Sequence, residues 1–308
     1  MNSDLDFTKR VVERKVYINW RSFVSEIEQR NNLENSIFRG QSNFDVKLND
    51  SPTATNDEFK IWRIKSTFCR QNRITSFKMK MLKHLKTDKW EEIISKFEHI
   101  NDKMVLEKIN LLERIQYFQH YKIATPLIDF TKDFNIALYF ATNEIQFGDS
   151  RSPNGEYPNC FFNIIEVNTK MLTDIYCLKK LELTDINSLD LNNFENNGTT
   201  FFLHLNPPNT YNANFNLKIQ KGVFIYLESP FSFEEFIGMQ NINENKPKPI
   251  TYHLIPYNSI SSFSHNYNSN NQSDQLINYL REKKCLVYNL FNDLQGLKFD
   301  LNFINSLN

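Results

Sequence analysis

One stretch constrains the chain more than any other: Leu106 to Ala141, which reads LEKINLLERIQYFQHYKIATPLIDFTKDFNIALYFA. Leu106, Ile109, Leu112, Ile115 and Phe118 recur at helical spacing, so the pattern predicts a helix ending in Gln119, His120 and Tyr121, with Pro126 shortly beyond. Leu127, Ile128 and Phe130 follow as a short apolar run, predicted to be a buried strand or extended segment carrying Asp129 and Thr131. A second helix starts at once. Thr131 or Asp133 can cap it, because a short side-chain oxygen satisfies the free amides of a first turn, and Ile136, Ala137, Phe140 and Ala141 form one apolar face. The alanines allow close packing.

Gln119, His120, Asp129 and Thr131 therefore fall within a dozen or so residues, at the ends of elements whose apolar pattern marks them as buried. A buried polar group without a partner costs on the order of 1–3 kcal/mol, so four at one seam point to a hydrogen-bonded network or a site. Capping alone also accounts for Thr131 and Asp133, and a histidine at a helix C-terminus commonly serves as a cap or a satisfied core residue. Both readings stay open on this pattern.

Upstream, Ile18, Phe23, Val24 and Ile27 predict an amphipathic helix from Tyr17 to Arg30, after a polar and loose start over Met1 to Lys15. Asn31 to Asn35 break it before a short strand, Ser36 to Arg39. Gly40 permits close backbone approach, which suits a strand end presenting an arginine to a ligand. Arg39 reads equally as a buried strand arginine paired with a carboxylate such as Asp129. Between Lys60 and Lys89, ten bases (Lys60, Arg63, Lys65, Arg70, Arg73, Lys78, Lys80, Lys83, Lys86 and Lys89) face a single acid, Asp88. Such a stripe suits phosphates, or else is a solvated helix face balanced by Glu91, Glu92 and Glu98.

The second half reads as sheet. Cys160 to Val167, Thr199 to Leu205, Gly222 to Leu227 and Ile250 to Ile255 are β-rich runs, separated by the loop Gln146 to Asn159 and the Asn-rich breaks Asp190 to Asn197 and Tyr267 to Asn271. Asp274 to Cys285 is a last amphipathic helix. Helices first and strands later favour an α+β fold, a helical N-terminal portion packed on a mostly antiparallel or mixed β-sheet. No linker divides it, so a single domain over residues 1–308 is expected.

A formal net charge of zero removes any whole-molecule pull toward nucleic acid or membrane. Cys69, Cys160, Cys177 and Cys285 show no Cys-x-x-Cys pair and no matching histidine spacing, which argues against a metal site. With no signal peptide read at the start and no apolar run near the roughly 20 residues of a membrane span, the expectation is a cytoplasmic protein with reduced thiols. Gly-rich phosphate loops, His-Glu-x-x-His and Gly-x-Ser-x-Gly are absent from the sequence.

Several pieces in order carry a resemblance: Ile37-Phe38-Arg39-Gly40-Gln41, Gln119-His120-Tyr121, and Leu127-Ile128-Asp129-Phe130-Thr131 running into Ala137-Leu138-Tyr139-Phe140-Ala141. Together with Gln220-Lys221-Gly222-Val223-Phe224 and Leu290-Phe291-Asn292-Asp293-Leu294-Gln295-Gly296, they resemble the FRG domain family, named for its Phe-Arg-Gly motif. The resemblance implies a lead-in over residues 1–35 and an FRG core over 36–300. Pro126 stands where the family usually has an arginine.

The set also looks like the layout of ADP-ribosyltransferase folds, which implies NAD as the substrate and no metal. By that likeness Arg39 binds a pyrophosphate oxygen, Thr131 supports the nicotinamide ribose, His120 bonds a ribose hydroxyl, and Gln220 begins the third motif in place of the expected glutamate. Asp129 or Glu228 is then the carboxylate that stabilises charge on the sugar, while Gly40, Gln41, Gln119 and Tyr121 join Arg39 and Thr131 in holding the ligand. The implied activity is transfer to a macromolecular acceptor, nucleic acid or protein, in bacterial defence or stress, with the 60–89 stripe as a candidate contact. The alternative is a non-catalytic nucleotide- or nucleic-acid-binding or regulatory module, which predicts no carboxylate beside the group held by Arg39.

Overall fold

The computed structural model describes residues 8–41, 64–66, 119, 125–143, 161–176, 179–181, 201–203, 219–227, 231–240, 246–256 and 272–285. Their elements, in chain order, are α1 (Thr8–Val11), β1 (Val12–Val16), α2 (Trp20–Glu28), a 3-10 turn (Leu33–Asn35), β2 (Ser36–Gln41), β3 (Leu127–Thr131), α3 (Phe134–Asn143), β4 (Phe161–Asn168), α4 (Thr169–Asp174), β5 (Lys179–Leu181), β6 (Phe201–Leu203), β7 (Gly222–Tyr226), α5 (Phe233–Gln240), β8 (Ile250–Pro256) and α6 (Gln272–Glu282). The strands form one mixed sheet in the order β1-β8-β4-β2-β3-β7-β6-β5. Only β1 with β8 and β5 with β6 run parallel; the other neighbours are antiparallel.

Alternation along the strands feeds two cores, one on each face. Phe38, Phe162, Ile164 and Ile255 pack with Phe23, Val24 and Ile27 of α2, Ala137 and Leu138 of α3, and Leu276 and Leu280 of α6. Ile37, Ile165, Val167, Val223, Ile225 and Tyr252 pack the opposite way, with Leu172 of α4 and Phe233 and Ile237 of α5. Helix, sheet and helix thus make three layers, and the α+β expectation holds.

The sheet reaches further forward in the chain than its composition suggests. Residues Val12–Val16, most of which fall in the stretch Met1 to Lys15 expected to be partly loose, pair in parallel with Ile250–Leu254. Only Val12 of that strand is buried, so neither alternation nor an apolar run marked it; a charged, half-exposed strand is what an outer edge tolerates. α4 and α5 were not foreseen either. The helix from Tyr17 to Arg30 is shorter, starting at Trp20, because Asn19 caps it: its side chain accepts from the Ser22 amide at 2.9 Å while the Ser22 hydroxyl lies 3.3 Å from the Asn19 amide. The helix predicted over 106–118, His120, Tyr121, Glu228 and all of the 60–89 stripe but Ile64, Lys65 and Ser66 lie outside the described residues.

Residues 64–66 are tied to α5. The Ile64 amide donates to the fully buried Glu234 carboxylate at 2.8 Å, the Tyr252 hydroxyl donates to the same group, and the Phe233 amide donates to the Ile64 carbonyl at 2.9 Å. Burial pushes the Glu234 carboxyl up from its ordinary value, against the pull of the Tyr252 hydroxyl and the Ile64 amide.

Candidate functional site

The two central strands β2 and β3 are both drawn from the first half of the chain, and their junction is thin. β2 matches β4 along its full length, from Ser36 opposite Asn168 to Gln41 opposite Asn163, and β3 matches β7 from Leu127 to Thr131. Between β2 and β3 the ladder holds only at Phe38 opposite Thr131. Beyond that point a side chain takes over from the backbone: the Arg39 guanidinium donates to the Asp129 carbonyl at 2.7 Å.

The Asp129 carboxylate lies 3.9 Å from the same guanidinium, with 51 % of its side chain exposed against 22 % for Arg39. Gln119 donates to that carboxylate at 2.6 Å and accepts from the Thr125 hydroxyl, whose oxygen also takes the Leu127 amide at 3.1 Å. Of the four polar residues expected at one seam, Gln119 and Asp129 are joined here, together with Arg39 and Thr125; Thr131 bonds elsewhere, and His120 lies outside the described residues. Thr125 was not singled out, although it occupies the second residue before Leu127, where a short hydroxyl side chain commonly binds the backbone just ahead.

Gly40 is accounted for by packing. A Cβ placed there would lie 2.0 Å from the Ala137 carbonyl oxygen and 2.5 Å from the Ala141 nitrogen, so the bare backbone lets α3 sit directly on β2. The close approach that the sequence suggested is to a helix, and the two alanines expected to permit tight packing are its other half.

Thr131, 4 % exposed, has its hydroxyl engaged inside the fold: it donates to the Gln220 carbonyl at 2.7 Å and accepts from the Asp133 amide at 3.1 Å. Asp133 then caps α3 through the Asn135 amide at 2.9 Å and accepts from Lys221 at 2.7 Å. Lys221 has φ 48°, a left-handed turn residue between Gln220 and Gly222, and its carbonyl receives the Lys132 amide at 3.0 Å. Gln220 is thus brought to Thr131 by its backbone.

A second polar cluster was not anticipated. Glu166, 4 % exposed in the middle of β4, receives both Arg30 guanidinium nitrogens at 2.7 and 2.6 Å, the Ser36 hydroxyl at 2.6 Å, and lies 2.9 Å from His253 Nε2. His253 Nδ1 lies 2.9 Å from the Tyr17 hydroxyl. Burial would raise the Glu166 carboxyl, but the His253, Arg30 and Ser36 bonds hold it down at about 2. The signal was present in sequence: a charge inside Phe-Phe-Asn-Ile-Ile-Glu-Val and a histidine inside Ile-Thr-Tyr-His-Leu-Ile each interrupt a buried strand.

Among the described residues, no group of three or more His, Cys, Asp or Glu is placed to hold a metal ion, and no helix is long and apolar enough to cross a membrane. Residues 34–150 match the family model described as the FRG domain. No curated protein and no solved structure matches the chain. The matched segment contains β2, β3 and α3, and with them Arg39, Gln119, Thr125 and Asp129.

Proposed function

We propose that this protein, which carries an FRG domain over residues 34–150, binds NAD across the seam between β2 and β3 and transfers its ADP-ribosyl group to a macromolecule. The observation that carries the reading is the Asp129 carboxylate 3.9 Å from the Arg39 guanidinium, with the Asp129 side chain half exposed and the Arg39 side chain partly exposed where the two strands part. A guanidinium makes paired charged hydrogen bonds to a pyrophosphate, which fixes one end of the dinucleotide. Breaking the bond between ribose and nicotinamide sends the electron pair out with nicotinamide and leaves positive charge on the sugar. A carboxylate beside the sugar stabilises that charge more in the transition state than in the ground state, and a nucleophile of the acceptor then closes on the same carbon.

The acceptor in this reading is nucleic acid or protein, and the setting is bacterial defence or stress. Calorimetric titration with NAD, followed by assay of free nicotinamide, tests it. Binding that needs Arg39 and nicotinamide release that needs Asp129 are the expected results; no binding at millimolar NAD overturns the reading.

One observation favours a second reading, a nucleotide-binding module without turnover. Gln119 already occupies one Asp129 oxygen at 2.6 Å, and Gln220 stands in the third motif where a glutamate is expected. That reading predicts Arg39-dependent binding with no nicotinamide released.

A further inference from the structure

We propose that Asn163 and Gln41 form a buried amide subsite, which takes the carboxamide or ring-lactam edge of the ligand whose anionic part Arg39 holds. The inference rests on the reading of Arg39 as an anion clamp. Asn163 is 0 % exposed on β4, yet among the described residues neither its amide nitrogen nor its carbonyl oxygen has a hydrogen-bond partner. Because both ends are unpartnered, rotating the amide changes nothing. Directly across the ladder lies Gln41, whose side-chain oxygen is also buried and unpartnered.

The position asks for an apolar residue. Phe161, Ile165 and Val167 follow the same alternation on β4 and belong to the core of that face, as does Leu254, the cross-strand neighbour of Asn163 on β8. An aliphatic side chain there would bury no unmet polar atom, whereas unbonded donors and acceptors cost stability. Asn163 with Gln41 presents a donor beside acceptors, the complement of a primary carboxamide or of a lactam edge with its adjacent N–H and C=O. Arg39 and Gln41 are two residues apart on β2, about 7 Å at the rise of a strand, so an amide-bearing ring and a phosphate joined through a sugar suit both ends.

The test titrates wild type, Asn163→Leu and Gln41→Met with NAD, with ADP-ribose, which lacks the carboxamide, and with uridine monophosphate, which carries a lactam edge. The expected result is a loss of tenfold or more in affinity for NAD, for uridine monophosphate or for both in the two variants, with ADP-ribose affinity unchanged. NAD sensitivity alone assigns the carboxamide as the source, and uridine monophosphate sensitivity alone assigns a nucleobase and removes the NAD reading while the subsite stands. Wild type that binds ADP-ribose but neither amide ligand overturns the subsite and leaves the Arg39 clamp. Unchanged affinities, with Asn163→Leu melting higher than wild type, also overturn it and mark the pair as a hydrated core defect. If no ligand binds wild type, subsite and clamp both fall. Gln41→Met, at a half-buried position, decides the matter if Asn163→Leu does not fold.

Discussion

Two arginines, nine residues apart, meet two carboxylates in opposite ways. Arg30 grips Glu166 with both guanidinium nitrogens at 2.6 and 2.7 Å, around a carboxylate that Ser36 and His253 also reach. Arg39 binds the backbone of Asp129 at 2.7 Å, and the carboxylate itself stands 3.9 Å away with half its surface in water. Arg30, Ser36 and His253 together satisfy the Glu166 carboxylate, as a carboxylate taken out of solvent requires. The Arg39 pair bridges two strands that have stopped pairing, and it leaves the Asp129 carboxylate half exposed. Burial of the carboxylate side chain, 5 % exposed in Glu166 against 51 % in Asp129, and bond geometry therefore separate the two pairs.

The largest effect expected from this contrast is on Glu166→Ala. Removing one partner of a buried pair costs about 3–5 kcal/mol, so chemical denaturation should show a loss of that order. A loss below about 1 kcal/mol would place the Arg30 pair in the same class as the Arg39 pair and end the comparison. Next comes acid. With its carboxyl held at about 2 in the fold against an ordinary 4.5, Glu166 contributes stability that is fully present above about pH 5 and is lost as pH falls toward 2. The shift corresponds to on the order of 3 kcal/mol. Melting curves from pH 6 to about 2 should fall steeply in wild type and less so in Glu166→Gln; parallel curves would assign the acid limb to other carboxylates.

Gly40→Ala sharpens the comparison from the other side, because Gly40 follows Arg39 and carries α3 on its bare backbone. A methyl group 2.0 Å from the Ala137 carbonyl must push α3 off β2, at about 1–3 kcal/mol for overpacking. Ligand affinity should fall with it, since the seam that positions Arg39 shifts too. Full stability in Gly40→Ala would show that α3 has slack over β2.

The seam was legible in sequence because its elements announce themselves locally. Leu127, Ile128 and Phe130 are too apolar for a surface, Asp133 sits where a cap belongs, and Ala137 and Ala141 promise a close approach that Gly40 completes. The Glu166 cluster was not legible, because Tyr17, Arg30, Ser36, Glu166 and His253 come from distant parts of the chain and meet only through the β2-β4-β8 register. A single charged residue in an apolar strand signals that a partner exists but not which one. β1 failed differently: as an outer strand it buries one residue, and no periodic pattern survives that. Thr131 and Gln220 were given separate roles from sequence; the bond between them runs from a hydroxyl to a backbone carbonyl, which side-chain chemistry alone does not forecast.

The smallest expected effect is also the most discriminating. Arg39→Ala should change stability by less than about 1 kcal/mol, in the range of partly exposed ion pairs, while abolishing ligand binding. A double-mutant cycle makes the contrast quantitative. For Arg30→Ala with Glu166→Ala, the coupling energy should exceed about 1 kcal/mol, since two residues in one buried network do not act independently. For Arg39→Ala with Asp129→Asn it should stay below about 0.5 kcal/mol in stability, because the Asp129 carbonyl that accepts from Arg39 at 2.7 Å is retained by asparagine. On the proposed reading, the same two substitutions should couple strongly in nicotinamide release. Strong coupling in stability with none in turnover would make Arg39 a second Arg30, and the seam between β2 and β3 a structural joint.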